Sequence, residues 1–224
     1  RDVAPSRGLG DVYKRQKVYH PMDQGMAREL LGLPSGKRLL LFGALNVTDK
    51  RKGIDYLIEA LRRMEKQDVE LVVFGQVKDD IRGLFPVPIH SMGYLSDESK
   101  IVALYNAVDM FITSSLEENL PNTIMESMAC GTPCVGFEIG GIPEMIDHRV
   151  NGYVANYKDA GDLANGIQWV LEHEDRLALS DACVKKVQEN YTEEVVAKQY
   201  TALYEKLLKG LSLIHISEPT RRSY

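Results

Sequence analysis

The chain has 224 residues, a net charge of −5, 26% charged residues and three cysteines. That length carries one full domain with a sizeable core, and an acidic balance without basic blocks argues against nucleic acid as the main partner. The cysteines are too few for a disulfide framework, and no apolar run approaches membrane-spanning length.

In chain order, the first segment to consider is the flank. Residues Ser6 to Gln16 resemble the translation of a transposase-type sequencing-library adapter, and Leu211 to Arg221 resemble its reverse complement. Segments 1–16 and 211–224 are therefore expected to be non-native, the first of them disordered, with 17–210 as the coding part of an open-ended fragment. On this reading Gly8-Leu9-Gly10 is no phosphate loop, and no function attaches to either flank. Both flanks are net basic, so 17–210 is more acidic than the whole.

Strands and helices then alternate. Arg38 to Gly43 reads as a buried strand ending in Gly, followed by an amphipathic helix over Gly53 to Met64 with Ile54, Leu57, Ile58 and Leu61 on one face. Glu70 to Gly75 is a second strand and Ile89 to Gly93 a shorter third. Ser96-Asp97-Glu98 opens a helix to Ala107, with Ser96 as its cap. The fourth strand is centred on Met110 to Thr113. A helix over Asn122 to Cys130 and a fifth strand, Cys134 to Phe137, follow. Pro143 to Ile146 is a helical turn and Gly152 to Val154 a short last strand. Three helices close the chain, near 160–172, 175–190 and 193–208. Apolar strands alternating with amphipathic helices predict an α/β fold with a mostly parallel sheet covered on both faces. Ligands in such sheets bind outside the carboxyl ends of the strands, so Gly43, Gly75, Gly93 and Glu118 are expected to converge on one edge.

The segment from Ser114 to Pro133 carries the most chemistry. Glu118 and Glu126 are separated by seven residues, with Asn122 as candidate N-cap after Pro121. This places Glu118 on the loop leaving a strand and Glu126 in the first turn or so of a helix. Free amides at Asn122 and Thr123 and the positive end of the helix dipole then lie between two acceptors. Such a site suits a molecule with phosphates in its middle and hydroxyls at both ends, which is the shape of a nucleotide-sugar. The plain alternatives are a dipole-favoured helix acid for Glu126, an exposed loop acid for Glu118 and ordinary capping by Asn122. Cys130, Cys134 and Cys183 read as buried free thiols. No His/Cys cluster has metal-ligand spacing, and neither a metal nor a cofactor is expected. Trp169 and the apolar stripe around it read as core.

At these residues the chain resembles the E-x7-E signature of metal-independent retaining glycosyltransferases of the GT-B fold, family 4. Lys52-Gly53-Ile54-Asp55-Tyr56-Leu57 resembles the family's Lys-Gly helix start. Gly131-Thr132-Pro133-Cys134-Val135, Gly140-Gly141-Ile142-Pro143-Glu144 and Asn151-Gly152-Tyr153-Val154 resemble its later strands and loops, in order. The likeness covers nearly all of 17–210. It implies the C-terminal, Rossmann-like, donor-binding half of a two-domain enzyme, with extra C-terminal helices. On this resemblance the other half, which supplies most acceptor contacts, would be absent from the sequence. The apolar residues Tyr200, Leu203, Tyr204, Leu207 and Leu208 resemble the closing helix that crosses toward that half.

The resemblance also implies roles. Glu126 would accept hydrogen bonds from the ribose of the donor nucleotide, and Glu118 would contact the sugar near its reacting carbon. Lys52 would neutralise the departing diphosphate, charge aimed at a leaving group being what lowers the barrier. Its plain alternative is a surface lysine in the run Lys50-Arg51-Lys52. The amides of Asn122 and Thr123 would meet phosphate or sugar oxygens, with Asn119, Leu120 and Gly43 around them, and Tyr94 would line the base pocket. Two departures stand out. The family often has Gly-Arg after its first strand, where this chain has Gly43-Ala44; Arg51 is one candidate to supply the charge, and which basic residue does so is left open by the sequence. Asn119-Leu120-Pro121 stands where Gly-Phe-Gly is usual, and Pro121 has no N–H to donate.

The expected function is sugar transfer from a nucleotide diphosphate sugar to a sugar or lipid-linked acceptor, by a protein in the cytoplasm and at most peripheral to the inner face of the membrane. The fragment alone is expected to be inactive. The rivals are a GT-B sugar-nucleotide epimerase and a non-catalytic nucleotide-binding module.

Overall fold

The computed structural model describes residues 18–46, 49–64, 68–76 and 82–212. The segments 1–17 and 213–224 lie outside the described residues, and so does the expectation of disorder at the start.

The core is a six-stranded sheet with every pairing parallel. Its strands are β1 (Arg38–Asn46), β2 (Val69–Gln76), β3 (Ile89–Gly93), β4 (Met110–Thr113), β5 (Cys134–Phe137) and β6 (Gly152–Ala155), in the spatial order β3-β2-β1-β4-β5-β6. From β1 the chain first builds outward through β2 and β3, then returns to place β4 on the other side of β1. The strand order therefore reverses between β1 and β4, and in sheets of this kind the crevice that takes ligands lies at the carboxyl ends of the strands at that point.

The helices are α1 (Gln24–Leu31), α2 (Ile54–Arg63), α3 (Glu98–Ala107), α4 (Asn122–Ala129), α5 (Ile142–Met145), α6 (Ala160–Leu171), α7 (Arg176–Asn190) and α8 (Glu193–Ser212). Strand alternation sorts them onto two faces. Leu40 and Phe42 of β1 pack with Ile54, Leu57, Ile58 and Leu61 of α2 and with Leu163 and Ile167 of α6. Leu39 and Leu41 point the other way, into a cluster with Ala27 of α1, Leu104 and Tyr105 of α3, Ile124 and Met128 of α4, and Cys183 and Val187 of α7. Such two-sided burial is why β1 reads as an unbroken apolar run.

The N-terminal edge of the sheet is pinned by one carboxylate. Asp109, just before β4, is buried and accepts from Arg28 at 3.0 Å, Arg38 at 3.2 Å, Arg176 at 2.6 Å and the Leu39 amide at 2.8 Å. Those donors come from α1, β1 and α7, so a single side chain ties three elements to the start of β4.

Several boundaries differ from the sequence reading. Strand β1 continues to Asn46, so Gly43 lies inside it opposite Phe74, and the strand does not end there. Helix α3 is capped by Asp97, whose carboxylate accepts from Ser99 N at 3.0 Å, and not by Ser96. A carboxylate in the position preceding the first helical residue out-competes a hydroxyl one residue earlier. Helix α1 was not anticipated, because eight residues are too few for a period to stand out and two of its four apolar side chains, Met26 and Leu30, are left exposed. It is held by an Asp23 cap and a left-handed Gly32. Trp169 is only partly buried, lying against the edge of the core between Tyr153 and His173. Helix α8 runs to Ser212, two residues into the segment expected to be non-native. All three cysteines are buried and free, as expected. Burial pushes the thiols of Cys130 and Cys134 up to about 12. Among the described residues no helix is long and apolar enough to cross a membrane.

Candidate functional site

Two loops meet at the switch point. The first leaves β1 and forms a single 3-10 turn over Lys50–Lys52. Asp49 caps this turn by accepting from the Arg51 amide at 2.9 Å, and its carboxylate also holds the Arg51 guanidinium at 2.7 Å. These bonds to Arg51 keep the Asp49 carboxyl down at about 2. Gly53 then turns the chain into α2 with a φ of 62°. No other residue fits there, since a Cβ would stand 2.0 Å from the Ser114 carbonyl oxygen.

That close approach lays the first loop against the second, which leaves β4. Ser114 Oγ donates to the Lys52 carbonyl at 2.9 Å, and the Leu116 amide donates to the Arg51 carbonyl at 2.7 Å. The stitching carries Lys52 to Glu118: Nζ lies 2.5 Å from Oε1. The two side chains are 32% and 16% exposed. Both charges are thus partly withdrawn from water yet reachable from the crevice.

The second loop is braced from its far side. Tyr157 donates its hydroxyl to the Leu116 carbonyl at 3.0 Å, and the Gly141 amide donates to the Asn119 carbonyl at 2.5 Å. Gly140 and Gly141, after β5, allow backbone to meet backbone. A Cβ would lie 2.1 Å from Glu118 O at the first and 2.6 Å from Asn119 O at the second. The position of Glu118 is therefore set by glycines that the sequence places more than twenty residues later.

Helix α4 begins at Asn122, with Pro121 in the cap position and no side-chain cap hydrogen bond. Asn122 is thus the first helical residue and not the N-cap. Pro121, with its fixed φ, occupies the cap; its carbonyl accepts from the Ile124 amide at 3.1 Å, but it has no side-chain acceptor for the Asn122 and Thr123 amides. The Asn122 and Thr123 amides sit at the uncapped, positive end of the helix, which is how a helix presents donors to an anion. Glu126 lies one turn further than a first-turn acid, and it is 7% exposed. The solvated-acid alternative fails on that burial. Tyr105 of α3 donates its hydroxyl toward Glu126 Oε2 at 3.3 Å.

The remaining candidates are placed as follows. Arg51 is exposed and its guanidinium is engaged by Asp49, so the structure gives it a partner in its own turn. Gly43 lies against Phe74, where a Cβ would come within 1.8 Å of the ring. Leu120 is exposed beside Gly141, and Asn119 contributes its carbonyl to the loop brace. Tyr94 follows Gly93 at the end of β3 and is 62% exposed. The structure thus joins Lys52, Glu118 and the start of α4 through β1 and β4, the strands flanking the switch point. Tyr94 stands at the far strand of the sheet. Tyr105 and Tyr157 were not singled out from sequence, because a tyrosine in an apolar helix and one in a loop carry no motif. Gly140-Gly141 was the available signal for the brace. Among the described residues no group of three or more His, Cys, Asp or Glu is placed to hold a metal ion.

Known proteins share this arrangement of elements. The chain is 24% identical over 215 residues to the N-acetyl-alpha-D-glucosaminyl L-malate synthase of Bacillus anthracis, covering 92% of this chain and 56% of that protein. It is 33% identical over 119 residues to the N,N'-diacetylbacillosaminyl-diphospho-undecaprenol alpha-1,3-N-acetylgalactosaminyltransferase of Campylobacter jejuni, covering 53% of this chain and 31% of that one. Among solved structures it resembles sucrose-phosphate synthase from Thermosynechococcus elongatus, with a TM-score of 0.70 and 25% identity over 87% of this chain and 51% of that one. The C-terminal domain of a glycosyl transferase group 1 family protein from Francisella tularensis shares the fold, with a TM-score of 0.66 at 20% identity, and is covered over 97% of its length by 79% of this chain. The chain spans about half the length of the curated relatives it matches. The family model for glycosyl transferases group 1 matches residues 36–173, and the chain belongs to that family.

Proposed function

We propose that the chain is the donor-binding half of a retaining glycosyltransferase, which transfers a sugar from a nucleotide diphosphate sugar to a sugar or lipid-linked acceptor. The observation that carries this reading is the Lys52–Glu118 pair set beside the uncapped start of α4, at the switch point of the sheet. A diphosphate in the crevice would find the Lys52 ammonium and the amides of Asn122 and Thr123. Its sugar would face Glu118, and its ribose Glu126. As the bond to the sugar breaks, negative charge grows on the leaving diphosphate, where a preorganised ammonium and helix amides act most strongly. Glu118 would keep Lys52 oriented until the diphosphate arrives. No side chain is assigned as a nucleophile, and the leaving phosphate itself is the base proposed for the acceptor proton.

The similarity to a named N-acetylgalactosaminyltransferase supports sugar transfer over epimerisation. On this reading the acceptor is held by the other half of a two-domain enzyme, and the exposed stripe Tyr200, Leu203, Tyr204, Leu207 and Leu208 on α8 is the surface proposed to meet it. The chain alone is accordingly expected to bind a donor without transferring its sugar. The flanks 1–16 and 211–224 play no part in this reading.

Calorimetric titration of UDP, GDP and ADP into the 224-residue chain, beside Lys52→Ala and Glu126→Ala, tests it. Saturable binding of one diphosphate, weakened in both variants, is expected. Binding that is unaffected by either substitution would remove the site.

A further inference from the structure

Glu126 is held from below by a side chain that no motif points to. Tyr105 is 1% exposed. Its ring is enclosed by Tyr19, Phe74 and Phe111, with centroids at 6.1, 6.3 and 6.0 Å. Thr132 Oγ1 donates to its backbone carbonyl at 2.7 Å, which anchors the main chain as well. A residue fixed on so many sides has little freedom in where its hydroxyl points, and the hydroxyl points at Glu126 Oε2.

A phenol is a costly choice for this place. Burying a hydroxyl is unfavourable unless it is hydrogen-bonded, and phenylalanine would fill the same space without that cost. The contact to Glu126 is what a tyrosine adds. At 3.3 Å it is longer than an ordinary O–H···O bond, but both groups are buried, so water cannot easily take over either end. Burial, and next the Glu126 carboxylate, push the Tyr105 phenol well above the usual tyrosine range. It therefore stays protonated and can only donate to the carboxylate.

The same aromatic cluster reaches β1. Phe74 stands edge-on to Tyr105 at 81° and fills the space that Gly43 leaves open. Tyr105, the partner of Glu126, and Gly43 of β1 thus share one packed neighbour.

We propose that Tyr105 is a positioning residue, whose hydroxyl holds the Glu126 carboxylate in the orientation that receives the ribose hydroxyls of the donor nucleotide. This rests on the reading of Glu126 as the ribose acceptor. The physical gain is preorganisation: a glutamate already fixed loses less rotamer freedom when the ligand binds.

Tyr105→Phe keeps the ring and its packing and removes only the hydroxyl. Calorimetric titration would compare wild type with this variant, using the nucleoside diphosphate that wild type binds and its 2′,3′-dideoxy analogue. Binding of the ribonucleotide is expected to weaken about fivefold, as for loss of one modest hydrogen bond, with no change for the analogue. A general loosening of the core would weaken both ligands alike, and that result overturns the role of Tyr105. In a Glu126→Ala background, which leaves no acceptor to position, the substitution should add nothing, and a further fivefold loss there overturns it equally. Wild-type binding that ignores the ribose hydroxyls removes the donor-site reading itself. Equal losses in a protein that does discriminate them remove only the role of Tyr105.

Discussion

Lys52 Nζ meets Glu118 Oε1 at 2.5 Å across 66 residues of sequence. Each residue leaves a different strand, β1 or β4, and those strands are neighbours only because the sheet reverses its order between them. Pairing the two charges lowers the cost of keeping either partly out of water. It also stores an ammonium beside an anion-seeking helix end.

Replacement of Glu118 by Gln is expected to separate the two ends of the donor. Lys52 loses its counter-charge and is freed for phosphate, so a free nucleoside diphosphate should bind at least as tightly as to wild type. The sugar loses its carboxylate acceptor, so any preference for the sugar conjugate should fall by about tenfold, the scale of one charged hydrogen bond. Competition titration of the two ligands reads both effects. A parallel loss for both ligands would mean that Glu118 acts only through loop structure.

Gly53 and Gly32 share a left-handed backbone, at φ 62° and 64°, but not an environment. Nothing lies within 4 Å of a Cβ built on Gly32, so Gly32→Ala is expected to cost only the backbone strain, about 1 kcal/mol. At Gly53 the Ser114 carbonyl must also move, so Gly53→Ala should cost about 2–4 kcal/mol and carry Lys52 away from Glu118. Urea unfolding midpoints measure both. Equal costs would show that the two loops are not in backbone contact.

Asp109→Ala is expected to destabilise the fold by about 3–5 kcal/mol, because buried Arg28 is left without its carboxylate. The damage lies at the opposite edge of the sheet from Lys52 and Glu118. Ligand affinity of the folded fraction should therefore remain at the wild-type level while the unfolding midpoint drops. A fall in affinity at full native population would contradict the separation of the two edges.

The Asp49–Arg51 turn supplies a test with acid. Its pairing lowers the Asp49 carboxyl to about 2, so the charged form is favoured by the fold. That contribution is complete above the ordinary carboxylate range and is lost as pH falls through about 2. Carboxyl NMR of the native chain should show Asp49 titrating late, and Arg51→Ala should return it toward its ordinary value. An unchanged midpoint in the variant would exclude the guanidinium as the cause.

The alternation of apolar runs with amphipathic helices was sufficient to read a parallel sheet covered on both faces. Local rules that depend on neighbours in sequence were legible: β3, β5 and α2 stand within a residue or two of their expected places. So was the spacing of Glu118 and Glu126, because a loop acid followed by a helix acid is a statement about one short stretch. The cap of α4 was misread, since Asn122 after Pro121 fits either the cap or the first helical position, and only the backbone decides between them. The Lys52–Glu118 contact and the phenol beneath Glu126 were not legible at all, and Gly140-Gly141 signalled a close approach without naming the Glu118 loop as its partner. Each joins residues from different elements. Sequence periodicity reports which face of an element is buried, whereas the partner on that face is set by strand order, and strand order exists only once the chain has crossed back past β1 and added β4 on its other side.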